Sequence, residues 1–227
     1  MEEILKGALY LVSTPIGNLS DMTYRAVHIL KNVDLIAAED TRTSRVLLRH
    51  YEIENQLVSY HSYNIKKETP RLVGQLKQGK SIALISDAGT PGISDPGFNL
   101  VRECSVENIR IVPIPGASAL LAGLVASGLS THRFAYEGFL PLKKGRKTRL
   151  TYLAEEKRTI VIYESPHRIE KTVRELNEFW GDRNCVMARE ITKKFEEFFR
   201  GTLSTLAEHL QTGKVKGEIV LIVEGNG

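Results

Sequence analysis

Four short stretches carry residue types suited to holding a small polar ligand: Thr14 to Asn18, Glu39 to Thr43, Asp87 to Gly97 and Pro115 to Ala119. The richest is Asp87-Ala88-Gly89-Thr90-Pro91-Gly92-Ile93-Ser94-Asp95-Pro96-Gly97. Its glycines and prolines neither continue a strand nor start a helix at once, so it reads as a loop. Small residues let a ligand approach the backbone, and free backbone N–H groups in such a turn hold a carboxylate or phosphate. Asp87 and Asp95 suit an ammonium or ribose hydroxyls. The alternative is that both carboxylates merely cap turns. The chain has neither GxxxxGK[ST] nor GxGxxG, so ATP hydrolysis and hydride transfer are weak readings.

Each stretch follows a short apolar run. Ile82 to Ile85 is uncharged and reads as a strand buried on both faces, as in a parallel sheet. Leu9 to Ser13 also reads as a buried strand, and Leu35 to Ala38 and Ile109 to Ile114 as further short strands. Helical patterns intervene: one capped by Asp21 with Ala26, Ile29 and Leu30 on a face, one through Leu47, one near Thr69 to Lys77, and a small-residue helix over Ala117 to Ala126. If the strands are parallel, all four loops share one edge of the sheet, outside the strands' carboxyl ends. A boundary near residue 130 then separates an N-terminal α/β domain, 1–130, from a C-terminal α/β domain, 131–227. The second holds strands at Phe134 to Phe139, Thr159 to Tyr163, Cys185 to Ala188, Glu196 to Gly201 and Ile219 to Val223, with helices after Pro166 and after a Ser204 cap. The expected class is two α/β domains with mostly parallel or mixed sheets and a cleft between them.

Composition narrows the setting. The chain has 227 residues, 42% hydrophobic and 26% charged, as in ordinary globular proteins. Cys104 and Cys185 form no disulfide framework and no CxxC pair, and a cytoplasmic location is expected. The six histidines show no metal-ligand spacing, so no metal is expected. No basic signal-peptide leader is read at Met1 to Lys6. The most apolar run, Ala117 to Ala126, falls short of the roughly 20 residues that span a bilayer, so no membrane partner is expected. The net charge of +4 is uneven: residues 1–130 carry 13 Lys+Arg and 13 Asp+Glu, residues 131–227 carry 18 and 14. The excess points to an anionic partner for the back half.

The motifs Thr14-Pro15-Ile16-Gly17-Asn18, Ala38-Glu39-Asp40-Thr41-Arg42, Ser86 to Gly97 and Pro115-Gly116-Ala117-Ser118-Ala119 together resemble the tetrapyrrole methylase superfamily. With Gly138-Phe139-Leu140-Pro141, Glu164-Ser165-Pro166-His167-Arg168, Arg189-Glu190-Ile191-Thr192-Lys193 and Lys216-Gly217-Glu218, the chain looks more closely like its small-subunit rRNA methyltransferase branch. The resemblance runs in order from Gly7 to Val223; Ile191 stands where leucine is expected, a mild departure. It implies an enzyme that uses S-adenosylmethionine to methylate a cytidine ribose 2′-hydroxyl in the decoding region of 16S rRNA, and a homodimer. It implies that the cofactor meets Thr14, Pro15, Asp87, Ala88, Gly89, Thr90, Ser118, Ala119, Tyr163, Glu164 and Gly217. The substrate is naked small-subunit rRNA or the assembled subunit. The alternatives are a methylase of a small tetrapyrrole or of a protein side chain, as in diphthine synthase, and a non-catalytic RNA-binding relative.

Methyl transfer to a hydroxyl calls for alignment of oxygen, methyl and sulfur, and profits from a base. Candidates are Glu190, Lys193 and Asp40, with Glu39, Glu164 and Glu218 beside them. Each has a plainer reading: Glu39 and Asp40 as helix caps, Glu190 and Lys193 as an ion pair. Arg42, Arg168 and Arg189 sit beside these motifs and are candidates for RNA phosphate, or for pairing with nearby acids. The run Lys143, Lys144, Arg146, Lys147 and Arg149 is the stronger RNA candidate.

Overall fold

A computed structural model describes residues 3–213 and 215–227, in two compact units, Met1–Ser118 and Ala119–Gly227. The first unit alternates β1 (Leu9–Val12), α1 (Tyr24–Asn32), β2 (Leu35–Ala38), α2 (Thr41–His50), β3 (Leu57–Ser59), α3 (Ile65–Lys77), β4 (Ile82–Ile85), α4 (Gly97–Val106) and β5 (Ile111–Ile114). Its sheet runs β3-β2-β4-β1-β5 and every pairing is parallel. The uncharged runs explain this: β2 and β4 are buried at every residue, as a sheet covered on both faces requires.

Alternation assigns the faces. Tyr10, Val12, Ile36 and Ile85 pack with Ile29 and Leu30 of α1 and Leu48 of α2. Leu9, Leu35, Ile82 and Leu84 pack with Leu72 and Leu76 of α3 and Leu100 of α4. So the chain leaves β1 and β2 toward one face and leaves β4, which lies between them, toward the other. α1 is capped by Thr23, whose hydroxyl accepts from Ala26 N at 3.1 Å. Asp21, expected in that role, instead closes a 3₁₀ turn over Leu19–Asp21.

The second unit holds α5 (Ala119–Ser127), β6 (Phe134–Phe139), α6 (Arg146–Leu153), β7 (Thr159–Glu164), α7 (Ile169–Trp180), β8 (Asn184–Arg189), β9 (Glu197–Thr202), α8 (Leu203–Gln211) and β10 (Ile219–Val223). The sheet order is β6-β7-β10-β8-β9; β6 and β7 are parallel and the other pairings antiparallel. Leu150, Leu153, Val173, Leu176, Trp180, Leu206 and Leu210 from α6, α7 and α8 bury one face. On the other face lies α5, whose Gly123 comes close to Val220: an added Cβ would sit 3.2 Å from Val220 Cγ1. α8 is capped by Thr202 in a capping box with Thr205, two residues before the expected Ser204.

Candidate functional site

In the first unit the four ligand-type loops follow β1, β2, β4 and β5, and the parallel sheet brings them to its carboxyl edge. The change of face on both sides of β4 makes this a topological switch point, where open α/β sheets form a crevice. The loop after β4 is pinned to both neighbours. Thr14 and Gly89 exchange backbone hydrogen bonds, Thr14 N to Gly89 O at 2.9 Å and Gly89 N to Thr14 O at 3.0 Å. On the other side Asp87 Oδ1 accepts from Asp40 N at 3.0 Å. Thr14 Oγ1 donates to Ser86 O at 3.1 Å, Ser13 Oγ donates to Thr90 Oγ1 at 3.1 Å, and Thr90 Oγ1 donates to Ala117 O at 3.3 Å. The β5 loop comes equally close, since a Cβ on Gly116 would lie 2.8 Å from Ser13 Cβ. The left-handed φ of +79° at Gly89 lets the buried turn close. Thus Thr14, Asp87, Gly89 and Thr90 are brought together; Pro15 lies buried beside them in sequence, and Ala88 is exposed at the tip. Ser13 was not singled out in the sequence, although a hydroxyl directly after an apolar strand was the available signal.

The carboxylates at this edge differ in role. Asp95 Oδ1 accepts from Gly92 N and Gly97 N, both at 2.7 Å, so through that oxygen it braces its own loop. Asp40 caps α2 through Arg42 N at 2.8 Å and grips the Arg42 side chain at 2.7 Å. These hydrogen bonds from Arg42 lower its pKa to about 2. A carboxylate so stabilised as an anion is a poor base. Glu39 is the opposite case: burial, then repulsion from Asp87 and Asp95, raise its pKa above the usual 4.5. Asp87 is exposed, a carboxylate turned to solvent at the centre of this edge and suited to a cationic group.

The second unit has its own edge cluster. β10 runs opposite to β7 and β8, and Ile219 pairs with both Glu164 and Arg189, so Gly217 and Glu218 meet the ends of β7 and β8. Lys193 Nζ bridges Glu190 Oε1 and Glu218 Oε2, each at 2.9 Å. The hydrogen bond from Lys193 lowers the Glu190 pKa. Burial presses Lys193 downward, but its bonds to Glu190 and Glu218 outweigh that and raise its pKa. Lys193 therefore stays protonated, and Glu190 is a weakened base. The backbone is strained here, with φ +52° at Glu190 and +68° at the β-branched Thr192. Gly217 has a left-handed φ of +87°, which favours glycine, and an added Cβ would lie 2.3 Å from Glu190 Cδ and force that side chain to shift. The Tyr163 hydroxyl accepts from Leu120 N at 3.0 Å, and burial pushes its pKa up to about 12. Ala119 opens α5 one residue before Leu120, and Ser118 closes the first unit.

Several expected contacts are internal instead. Glu164 is 2% exposed; its carboxylate receives Arg168 Nε, Thr172 Oγ1 and Ser165 N, each at 2.7 Å. That occupies both Glu164 and Arg168. Arg146, expected to bind RNA, is 7% exposed and bonds Glu175, Thr172 and Pro141 O at 2.7, 2.8 and 3.0 Å; it is drawn inside and anchors α6. Arg149 pairs with Glu137 and Arg189 with Glu197, and exposed Arg42 is held by Asp40. Lys143, Lys144 and Lys147 are exposed, and among the described residues they take part in no ion pair. Among the described residues no helix is long and apolar enough to cross a membrane, and no group of three or more His, Cys, Asp or Glu could hold a metal ion.

Residues 8–207 match the tetrapyrrole (corrin/porphyrin) methylases. The chain is 52% identical to ribosomal RNA small subunit methyltransferase I of Synechocystis over 96% of its length and 79% of that protein. It is 49% identical to the protein of the same name from Halalkalibacterium halodurans, over 98% of this chain and 77% of the other. Among solved structures, the fold matches diphthine synthase with TM-score 0.75 at 14% identity, over 96% of this chain and 90% of that one. It matches uroporphyrin-III C-methyltransferase from Thermus thermophilus, complexed with S-adenosylhomocysteine, with TM-score 0.69 at 20% identity, over 96% and 97%. These likenesses establish an α/β methyltransferase fold of two sheets, as the sequence predicts. The chain belongs to the tetrapyrrole methylase family.

The raised pKa of Glu39 has a consequence for stability. A carboxylate whose folded pKa lies above its unfolded value favours folding at low pH, and that contribution is lost as pH rises through the folded pKa. Glu39→Gln should therefore raise the melting temperature at pH 7, with the gain vanishing below about pH 4.5. Thermal unfolding across pH checks this; a variant no more stable than wild type at pH 7 contradicts it.

Proposed function

We propose that the chain methylates the 2′-hydroxyl of a cytidine ribose in the decoding region of small-subunit rRNA, using S-adenosylmethionine. The half-identical relatives named ribosomal RNA small subunit methyltransferase I support the substrate. The observation that carries the cofactor assignment is the pinned loop at the switch point, with exposed Asp87 at its head. When bound there, S-adenosylmethionine supplies a methyl group activated by its sulfonium. Asp87 takes the ammonium of the amino-acid end, and the glycine turn allows close approach to the backbone. Of the base candidates, Glu39 has the retained basicity to accept the hydroxyl proton, whereas Asp40 and Glu190 are held as anions by Arg42 and Lys193. Lys193 orders the strained Glu190 turn. The same reading includes a homodimer and a cytoplasmic setting; buried, unpaired Cys104 and Cys185 accord with the latter.

Methyl transfer from labelled S-adenosylmethionine to unmodified small ribosomal subunits tests the proposal. Label is expected in 2′-O-methylcytidine; label in another nucleoside, or transfer to a tetrapyrrole instead, overturns it. The lysines refine the RNA surface. Replacing Lys143, Lys144 and Lys147 together by alanine should reduce the slope of log affinity against log salt by about 2, at roughly 0.7 per lost single-strand phosphate contact. An unchanged slope places the RNA surface elsewhere.

A further inference from the structure

α6 carries an exposed aromatic plane that the proposed chemistry does not use. Tyr152 is 65% exposed, and the Arg149 guanidinium lies over its ring at 4.9 Å from the centroid. Arg149 is itself fixed, with Nε and one terminal nitrogen on Glu137 Oε2 at 2.8 and 2.5 Å. The cation holds the ring from one side and leaves the remainder to solvent. Lys147, Thr148, Thr151 and Tyr152 are all exposed on α6; Thr148 lies one helical turn before Tyr152, and Lys147 lies about 140° from it around the axis. The helix is rigidly mounted: Arg146 is buried against α7 through Glu175 and Thr172, and Trp180 Nε1 donates to Leu150 O at 2.8 Å.

The charge around this plane is selective. Glu137 neutralises Arg149, and Glu156 neutralises Arg158, which lies near Tyr152. Lys143, Lys144 and Lys147 remain exposed at the start of the helix. Lys147 and Tyr152 are five residues apart, about 7.5 Å along the helix axis and about 140° around it, so a strand that engages both crosses the exposed face obliquely over Thr148 and Thr151. A fixed aromatic ring beside uncompensated cations is the arrangement that binds unpaired nucleotides, bases stacking on the ring and phosphates meeting the lysines.

We propose that the exposed face of α6 binds a single-stranded segment of RNA, with an unpaired base stacked on Tyr152 and flanking phosphates on Lys147 and the Lys143–Lys144 turn. The inference rests on the rRNA reading above and adds to it where, and in what form, the RNA is held. A duplex keeps its bases stacked inside and offers Tyr152 no partner.

The test compares wild type, Tyr152→Leu and Tyr152→Phe as full chains. Binding is measured to a labelled single-stranded oligoribonucleotide of mixed sequence and to the same sequence as a duplex. kcat/KM is measured for methyl transfer to unmodified small subunits. Tyr152→Leu should weaken single-strand binding by about 5- to 100-fold, leave duplex binding within about twofold, and leave the melting temperature unchanged; Tyr152→Phe should restore binding, because it keeps the ring. Single-strand binding by Tyr152→Leu equal to wild type overturns the inference, as does a Tyr152→Phe variant as weak as Tyr152→Leu, which would assign the effect to the hydroxyl. If wild type methylates small subunits and Tyr152→Leu does so with the same kcat/KM, the inference fails and the rRNA reading stands. If wild type itself neither binds nor methylates RNA, the rRNA reading fails and takes the inference with it.

Discussion

The turn after β4 is held from both sides, and the first unit's loop edge depends on that constraint. Gly89 is paired with Thr14 through two backbone hydrogen bonds, and the Asp87 carboxylate receives the Asp40 amide. Both follow from the position of β4 between two strands whose helices depart to the opposite face. The chain beyond β4 must turn away between its neighbours, and the turn is short of space: Gly97 could take no Cβ without approaching Asp95 Oδ1 and Gly92 N to 2.9 Å. Glycine at these points is a steric requirement of the topology, and the loop amides are ordered before any ligand arrives. Such preorganisation lets a site act without reorganising at the moment of reaction.

The same geometry sorts the acids. Asp40, Asp95 and Glu190 each satisfy a local backbone or cationic partner, and two of them are held below their ordinary pKa by it. Asp95 receives amides too, yet its burial prevails and its pKa rises. Glu39 is pushed up by burial and by its neighbours' charge, and Asp87 faces solvent. Proximity in sequence hides this division: Glu39 and Asp40 are adjacent, but one precedes a helix as its cap and the other points into a field of like charge. A cationic ligand at this edge would relieve the repulsion among Glu39, Asp87 and Asp95.

Much of the first unit was legible because its central strands β2 and β4 are fully buried. Ile82 to Ile85 and Leu35 to Ala38 announce themselves as uncharged runs, and the glycine-rich turns mark where they end. Other features depend on partners far along the chain. Arg146 reads as one member of a basic run, but Thr172 and Glu175 on α7 draw it inside while Lys143, Lys144 and Lys147 stay out. α5 has no charge to mark a solvent face, so its place on β10 was invisible until Gly123 was seen against Val220. The ion pairs of Glu164 with Arg168 and of Arg189 with Glu197 likewise convert apparent ligand contacts into internal ones. The strain at Glu190 and Thr192 leaves no trace in residue type, since neither is a residue that favours a left-handed backbone.

Under the proposed function, Asp87 anchors the amino-acid end of S-adenosylmethionine by its charge. Calorimetric titration of S-adenosylmethionine into wild type and Asp87→Asn tests it most directly, because asparagine keeps an oxygen for the Asp40 amide and removes only the charge. A charge-assisted hydrogen bond contributes about 1.5–3 kcal/mol, so Asp87→Asn should bind about 10- to 100-fold more weakly with the fold intact. Equal affinity in the two proteins would contradict the account and move the cofactor's ammonium away from this loop.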